Sequence, residues 1–177
     1  MPTTSQGLEV GAKLLKNAAL NIESYVLKSP KGKLDEKTLS IVSRLKELLE
    51  RLANALEAVA KAVGSTDRDI VVLSQYTYVY RTNSRIVLTR NKPEYVALSY
   101  DAQDNAVSLK VRDTNLTLSQ KSISVSYRCI SATVDAYSAD QLKERRDELR
   151  VALNALERIA YGRLIPFLEQ KVIKKAL

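Results

Sequence analysis

Three tyrosines that alternate along one segment are the side chains whose type and spacing best suit recognition chemistry. Tyr76, Tyr78 and Tyr80 recur at every second position, so an extended strand presents all three rings on one face. Arg81 and Arg85 follow closely, and aromatic rings on a sheet beside arginines stack the bases of single-stranded nucleic acids. The alternative is that tyrosine, which favours strands, covers a hydrophobic core. The apolar alternate positions of the same segment indicate a central strand buried on both faces, and they favour this core interpretation.

Most catalytic and metal sites depend on residues that this chain lacks. It has no His and a single Cys, so neither a Ser-His-Asp nor a Cys-His arrangement can be built from it. A Cys cluster for zinc or iron–sulfur is equally excluded, and the five scattered glycines form no phosphate-binding loop. We therefore predict a protein that is not an enzyme, with no metal, cofactor or small-molecule substrate. The alternative is carboxylate or tyrosine catalysis, which requires a deep pocket holding two carboxylates in different environments.

Basic residues exceed acidic ones along the whole chain. The sequence has 28 Lys plus Arg against 20 Asp plus Glu, a net charge of +8 that no segment concentrates. The candidate phosphate contacts are the basic residues of a loop, a helix, the chain end and the tyrosine-bearing hairpin: Lys28, Lys31, Lys33, Arg145, Arg146, Lys171, Lys174, Lys175, Arg81 and Arg85. The alternative is that these charges are solvated and serve only solubility.

Membrane and secretion signals are missing from the sequence. No apolar run reaches the ~18 residues of a membrane span. The first six residues lack the basic and apolar regions of a secretory signal. We predict a cytoplasmic protein that does not contact membranes, in which Cys129 is a small buried side chain late in a strand. The few glycines and many charged residues are typical of thermophilic proteins.

Two helices are predicted before residue 64. The first extends from Gln6 to Leu27, and Asp35 can cap the start of the second. The second helix carries an apolar seam with alternating spacings of three and four: Val42, Leu45, Leu49, Leu52, Leu56, Val59 and Val63. We predict that this seam packs inside the chain, the alternative being an interface with a partner.

The middle and the end of the chain follow different periods. Residues 69–134 alternate with period two, and we predict five or six antiparallel strands joined by successive hairpins, the first from Ile70 to Arg81. Residues 138–177 return to helical spacing, with Arg146 at a position where the seam requires an apolar side chain. Gly162 and Pro166 interrupt that helix and predict a kink.

These zones predict an α+β fold. Amphipathic helices are unstable alone, and the simplest arrangement packs those of both ends together. The prediction is a bundle of about four helices, from residues 1–64 and 138–177, with residues 65–137 inserted as an antiparallel β-sheet subdomain.

This order of a helix pair, a β-insertion and a second helix pair, in a basic chain without His, resembles the small subunit of archaeal type I-A CRISPR surveillance (Cascade) complexes. The resemblance covers residues 8–175 and concerns layout. It implies a subunit that stacks in several copies along a complex and helps hold guide RNA–target or displaced DNA strands.

Two functional hypotheses follow from these observations. The first is a non-enzymatic subunit of a nucleoprotein assembly, in which helices contact protein partners or further copies and a basic face contacts the nucleic-acid backbone. It predicts binding that weakens steeply with salt. The second is a structural or accessory protein of a thermophilic archaeal virus, either a coat or an interaction protein. A homo-oligomer that forms without nucleic acid would favour this second hypothesis.

Overall fold

The structure, a computed structural model, describes residues 3–28, 35–64, 68–92, 95–135 and 139–167. Two long helices open this part of the chain, strands occupy its middle, and shorter helical segments close it. The helical segments are α1 (Thr4–Lys28), α2 (Glu36–Val63), α3 (Ala139–Glu144), α4 (Arg146–Ile159), a π-helical turn (Ala160–Leu164) and α5 (Ile165–Phe167). The strands are β1 (Ile70–Ser74), β2 (Thr77–Arg81), β3 (Arg85–Arg90), β4 (Val96–Asp101), β5 (Ala106–Val111), β6 (Thr114–Ser119), β7 (Ser122–Tyr127) and β8 (Ile130–Asp135).

The ends of α2 follow from local chemistry. Asp35 accepts a hydrogen bond from the backbone N–H of Thr38 at 2.9 Å, which satisfies a donor that the first helical turn leaves unpaired. Gly64 ends the helix at φ +66° and donates its N–H to the carbonyl of Ala60. Every residue of the predicted seam is buried within the chain, so the prediction of an internal seam is confirmed.

All strands of the described chain lie in one sheet of eight, in chain order, with each neighbouring pair antiparallel. Every strand has one apolar face, as shown by a row of directly paired residues that crosses the whole sheet. That row consists of Val71, Val79, Leu88, Leu98, Leu109, Leu116, Val125 and Ala132.

The predicted fold class, a four-helix bundle with an inserted β-subdomain, is wrong. Helix α1 packs on β3 to β6, α4 packs on β6 to β8, and α2 packs against both helices. Side chains of these three helices and of the sheet form one hydrophobic core. The physical reason is that the sheet also has an apolar face to bury, and the helices cover it while burying their own stripes.

The prediction of five or six strands is also wrong. Residues 70–81 form two strands, because the chain turns at Gln75 and Tyr76. That turn contains neither Gly, Pro, Asn nor Asp, so its sequence gives no turn signal. Strand β8 was not among the predicted strands either, and it pairs with β7 along its full length.

Two glycines allow α1 to lie close to the sheet. Gly7 and Gly11 are one helical turn apart and share the face that meets β3 and β4. A Cβ atom on Gly7 would lie 1.9 Å from Cδ1 of Ile86, and one on Gly11 would lie 3.3 Å from Cβ of Tyr100. The absence of side chains at these two positions therefore sets the distance between helix and sheet.

The predicted kink near Gly162 takes the form of the π-helical turn. The wider turn at residues 160–164 precedes Pro166, whose ring would collide with the carbonyl of a regular helix. Tyr161 lies in this turn, with the guanidinium carbon of Arg51 at 4.7 Å from the centre of its ring. Burial, with smaller contributions from Glu47 and Glu157, raises the pKa of Tyr161 to about 12.

Candidate nucleic-acid interface

Among the described residues, no helix covers the second face of the sheet. From β1 to β8, the outward side chains change from apolar and aromatic residues to residues with hydroxyl groups. One row of directly paired residues on this face consists of Ile70, Tyr80, Val87, Ser99, Ser108, Thr117, Ser124 and Thr133. The β1–β3 end is therefore apolar and aromatic, and the rest is a field of hydroxyl groups, partly paired at 3.3 Å and 2.7 Å.

The tyrosine pair lies on this open face. The rings of Tyr78 and Tyr80 are 5.9 Å apart between centroids, with their planes tilted by 35°. Both side chains are half-buried, and neither belongs to the hydrophobic core. Strand β2 is second from the edge of the sheet, and the outward-facing partners of the two tyrosines on β3, Thr89 and Val87, are buried. The rings therefore also shield part of this face, as the core interpretation predicts.

Further rings and a cation flank the pair. Tyr76 lies in the β1–β2 turn, where Nζ of Lys92 is 5.4 Å from the centre of its ring. Burial, and then the neighbouring Tyr95 and Tyr78, raises the pKa of Tyr80, while Arg85 lowers it. Tyr80 therefore keeps its proton at neutral pH and presents an uncharged ring.

The two predicted arginines of the hairpin, Arg81 and Arg85, lie on different faces of the sheet. Arg85 faces outward in register with Asp101, and its Nε lies 3.3 Å from the Asp101 carboxylate. Arg81 pairs in register with the buried Ile86, so it belongs to the helix-covered face, where it forms an ion pair with Asp69 at 3.3 Å. Only Arg85 shares a surface with the tyrosines.

Several basic residues lie in the turns at one end of the sheet. The turns β1–β2, β3–β4, β5–β6 and β7–β8 lie at the same end of the antiparallel meander, and we call their described residues the basic rim. The basic rim contains Lys92, Arg112 and Arg128 against Asp113, and the β3–β4 turn also includes Glu94, which lies outside the described residues. The described turns at the opposite end contain one Lys and one Asp. Folding therefore brings three basic residues that are far apart in the sequence to the same end of the sheet.

The basic group at the start of α4 lies elsewhere. Arg146 forms an ion pair with Asp35, and Arg145 lies 3.9 Å from Glu148. Arg146 lines a surface pocket of about 250 Å³ together with Lys37, Ser40, Ile41, Arg44, Asp147 and Arg150. Arg44 is in turn paired with Glu157. These pairs offset much of the positive charge, and the Asp35 contact explains why an arginine interrupts the apolar seam.

The remaining predicted contacts are six lysines. Lys28 is the last residue of α1. The other five lie outside the described residues: Lys31, Lys33, Lys171, Lys174 and Lys175.

Sequence reasoning missed the basic rim and misplaced the cysteine. Arg112 and Arg128 are single charges in short turns, and only the strand order brings them together. Cys129, predicted as a buried strand residue, is exposed in the β7–β8 turn next to Arg128. Predicting β8 as a strand would have placed Arg128 and Cys129 in a turn.

Comparison of the chain with protein-family models, with curated proteins and with solved structures found no match. The described residues contain no group of three or more His, Cys, Asp or Glu side chains placed to hold a metal ion. Within the same residues, no helix combines the length and the apolar composition needed to cross a bilayer.

Proposed function

We propose that this protein is a non-enzymatic subunit of a nucleoprotein assembly that binds a single-stranded nucleic acid on the open face of its sheet. The observation that carries the proposal is the tyrosine pair Tyr78 and Tyr80, which is half-buried, outside the core and on the face that no described helix covers. A ring held in this way stacks on a base with little loss of side-chain freedom.

Cations near the rings supply contacts for the phosphates. Lys110 is exposed on the open face, in the same row of paired residues as Tyr78 and three strands away. That separation is about 14 Å at the usual strand spacing, within reach of a short single strand that stacks on the tyrosines. Lys92 of the basic rim, beside the Tyr76 ring, adds a further positive charge at this end of the sheet. The layout-level resemblance to the CRISPR small subunit implies a similar ligand, but the proposal rests on this face alone.

The test is binding of a fluorescent 12-nucleotide single strand, followed by anisotropy. We expect Tyr78→Ala and Tyr80→Ala each to weaken binding at least about fivefold, because each removes a stacking ring. Tyr78→Phe and Tyr80→Phe are the matched controls, and they should retain the affinity because the ring remains. Binding should also weaken steeply with salt. Equal affinities for the Ala and Phe variants, or no binding at low salt, would overturn the proposal.

One observation favours the structural alternative, in which copies of the chain assemble without nucleic acid. Strand β1 forms an edge of the sheet among the described residues, and its side chains Ile70 and Val72 are 59% and 72% exposed. An exposed apolar edge strand is a template for pairing with another strand.

A further inference from the structure

A pocket of about 340 Å³ opens on the helix-covered side of the sheet, between the basic rim and α4. Among the described residues, its charged lining consists of Arg112, Arg128 and Arg158 against one carboxylate, that of Asp113. The arginines come from three separate elements: the β5–β6 turn, the β7–β8 turn and helix α4. Only the complete fold brings these three arginines to one concavity.

The two turns are linked to each other. The backbone N–H of Arg128 donates to the carbonyl of Asp113 at 3.4 Å, and Nε of Arg128 lies 3.3 Å from Oδ2 of Asp113. The guanidinium carbon of Arg128 is also 5.2 Å from the centre of the Tyr127 ring. These contacts link the two turns and place Arg128 next to Asp113 and Tyr127.

The backbone at both arginines is unusual for their residue type. Arg112 and Arg128 have φ of +52° and +54°, a left-handed conformation that Gly and Asn adopt with less strain. The remaining described non-glycine residue at positive φ is Asn105, which suits its turn. Arginine at positions 112 and 128 therefore does not serve the turns, and both residues line the same pocket.

The rest of the lining suits an organic group. Val111, Ala155 and Ile159 contribute apolar surface, and Tyr127 contributes a ring. The pocket volume lies within the range of small-molecule sites. Guanidinium groups bind phosphate with paired, charge-assisted hydrogen bonds. The pocket thus combines an anion-binding wall with an apolar floor.

We infer that this pocket binds a phosphomonoester carried on a group of nucleotide size, with the phosphate on Arg112, Arg128 and Arg158 and the organic group on the apolar floor. The ligand is either a free nucleotide or the phosphorylated end of a nucleic-acid strand, since both carry this chemistry. The site lies on the opposite side of the sheet from Tyr78 and Tyr80, so it stands independently of the proposed function.

The test is calorimetric titration of the full chain with adenosine 5′-monophosphate, adenosine and inorganic phosphate at one salt concentration. We expect the monophosphate to bind at least about tenfold more tightly than either of the other two. Arg158→Gln should weaken monophosphate binding at least about tenfold. Arg150→Gln removes the same charge from the same helix outside the pocket, and it should change the affinity less than about twofold. Circular dichroism checks that both variants are folded.

The outcomes separate the possibilities. Equal binding of the monophosphate and adenosine, or of the monophosphate and inorganic phosphate, overturns the inference. Equal weakening by the two glutamine variants overturns it as well, because the effect is then one of net charge. Tighter binding of a 5′-phosphorylated tetranucleotide than of the monophosphate assigns the ligand to a strand end, and equal binding assigns it to a free nucleotide. Tyr78→Ala should leave monophosphate binding unchanged, which distinguishes this site from the open face.

Discussion

At the scale of single residues, Asp35 joins the start of one helix to the start of another. Thr38, whose backbone N–H donates to the carboxylate, and then the Arg146 guanidinium hold the pKa of Asp35 well below its ordinary 3.8. Because the folded-state pKa is depressed, the stabilisation is complete above the unfolded-state value and is lost as the pH falls below it. The acid limit of stability is thus linked to the junction of α2 and α4.

Asp35→Asn tests this link, because asparagine still accepts a hydrogen bond from the Thr38 N–H but has no charge to offer Arg146. We expect its melting temperature at pH 7 to fall by about 2–4 °C, and the difference from the parent to start shrinking below about pH 4 and to become smaller as the pH falls further. Thermal unfolding between pH 2 and 7 measures this effect. Asp104→Asn, which removes the same charge from an exposed turn, is the control. A deficit of unchanged size at acid pH would contradict the assignment.

At the scale of elements, the close packing of α1 on the sheet depends on Gly7 and Gly11. Gly7→Leu would place a side chain where Cδ1 of Ile86 lies, and it must lift the helix or displace the core. We expect a loss of about 1–3 kcal/mol of unfolding free energy, measured by urea denaturation. Glu9→Leu introduces the same side chain on the exposed side of α1 and should change stability by less than about 0.5 kcal/mol. Equal losses in both variants would show that the close contact at Gly7 does not matter.

The same scale shows what could be predicted from sequence. The α2 cap at Asp35, its buried seam and the kink before Pro166 are local features, and each was predicted correctly because neighbouring residues determine it. Which element packs against each apolar face is not determined by neighbouring residues in the sequence. A seam such as that of α2 packs equally well in a bundle or over a sheet, so the architecture was wrong although most elements were right.

The candidate site divides in the same way. The two-residue period predicted one shared face for Tyr76, Tyr78 and Tyr80. This is correct for Tyr78 and Tyr80 and wrong for Tyr76, which lies in the β1–β2 turn. Whether that face is covered depends on where α1 and α4 lie. The two-residue period of the strand gives no information about the positions of these helices. The pocket arginines Arg112 and Arg128 are 16 positions apart in the sequence and meet only because two hairpins are neighbours in the sheet.

At the scale of the whole molecule, the open edge of the sheet predicts self-association. Strand β1 contains no Lys, Glu or Pro, which are the residues that protect edge strands from pairing. Antiparallel pairing of two β1 strands about a twofold axis perpendicular to the sheet keeps the open faces of both copies on one side. The two β2 strands, each with its tyrosine pair, then lie three strand spacings apart, about 14 Å. A dimer of this kind would double the surface that we propose for nucleic acid.

Sedimentation over the micromolar range, without nucleic acid, should therefore detect a concentration-dependent dimer. Val72→Lys puts a charge on the outward face of the edge strand and should leave a monomer at every concentration. Thr133→Lys puts the same charge on an exposed position of β8, the strand at the other edge, and should not affect the dimer. A parent chain that stays monomeric would remove the structural alternative, and a dimer equally weakened by both lysines would place the contact elsewhere. Because both copies expose their tyrosines on one side, a dimer that depends on Val72 makes the two candidate functions compatible.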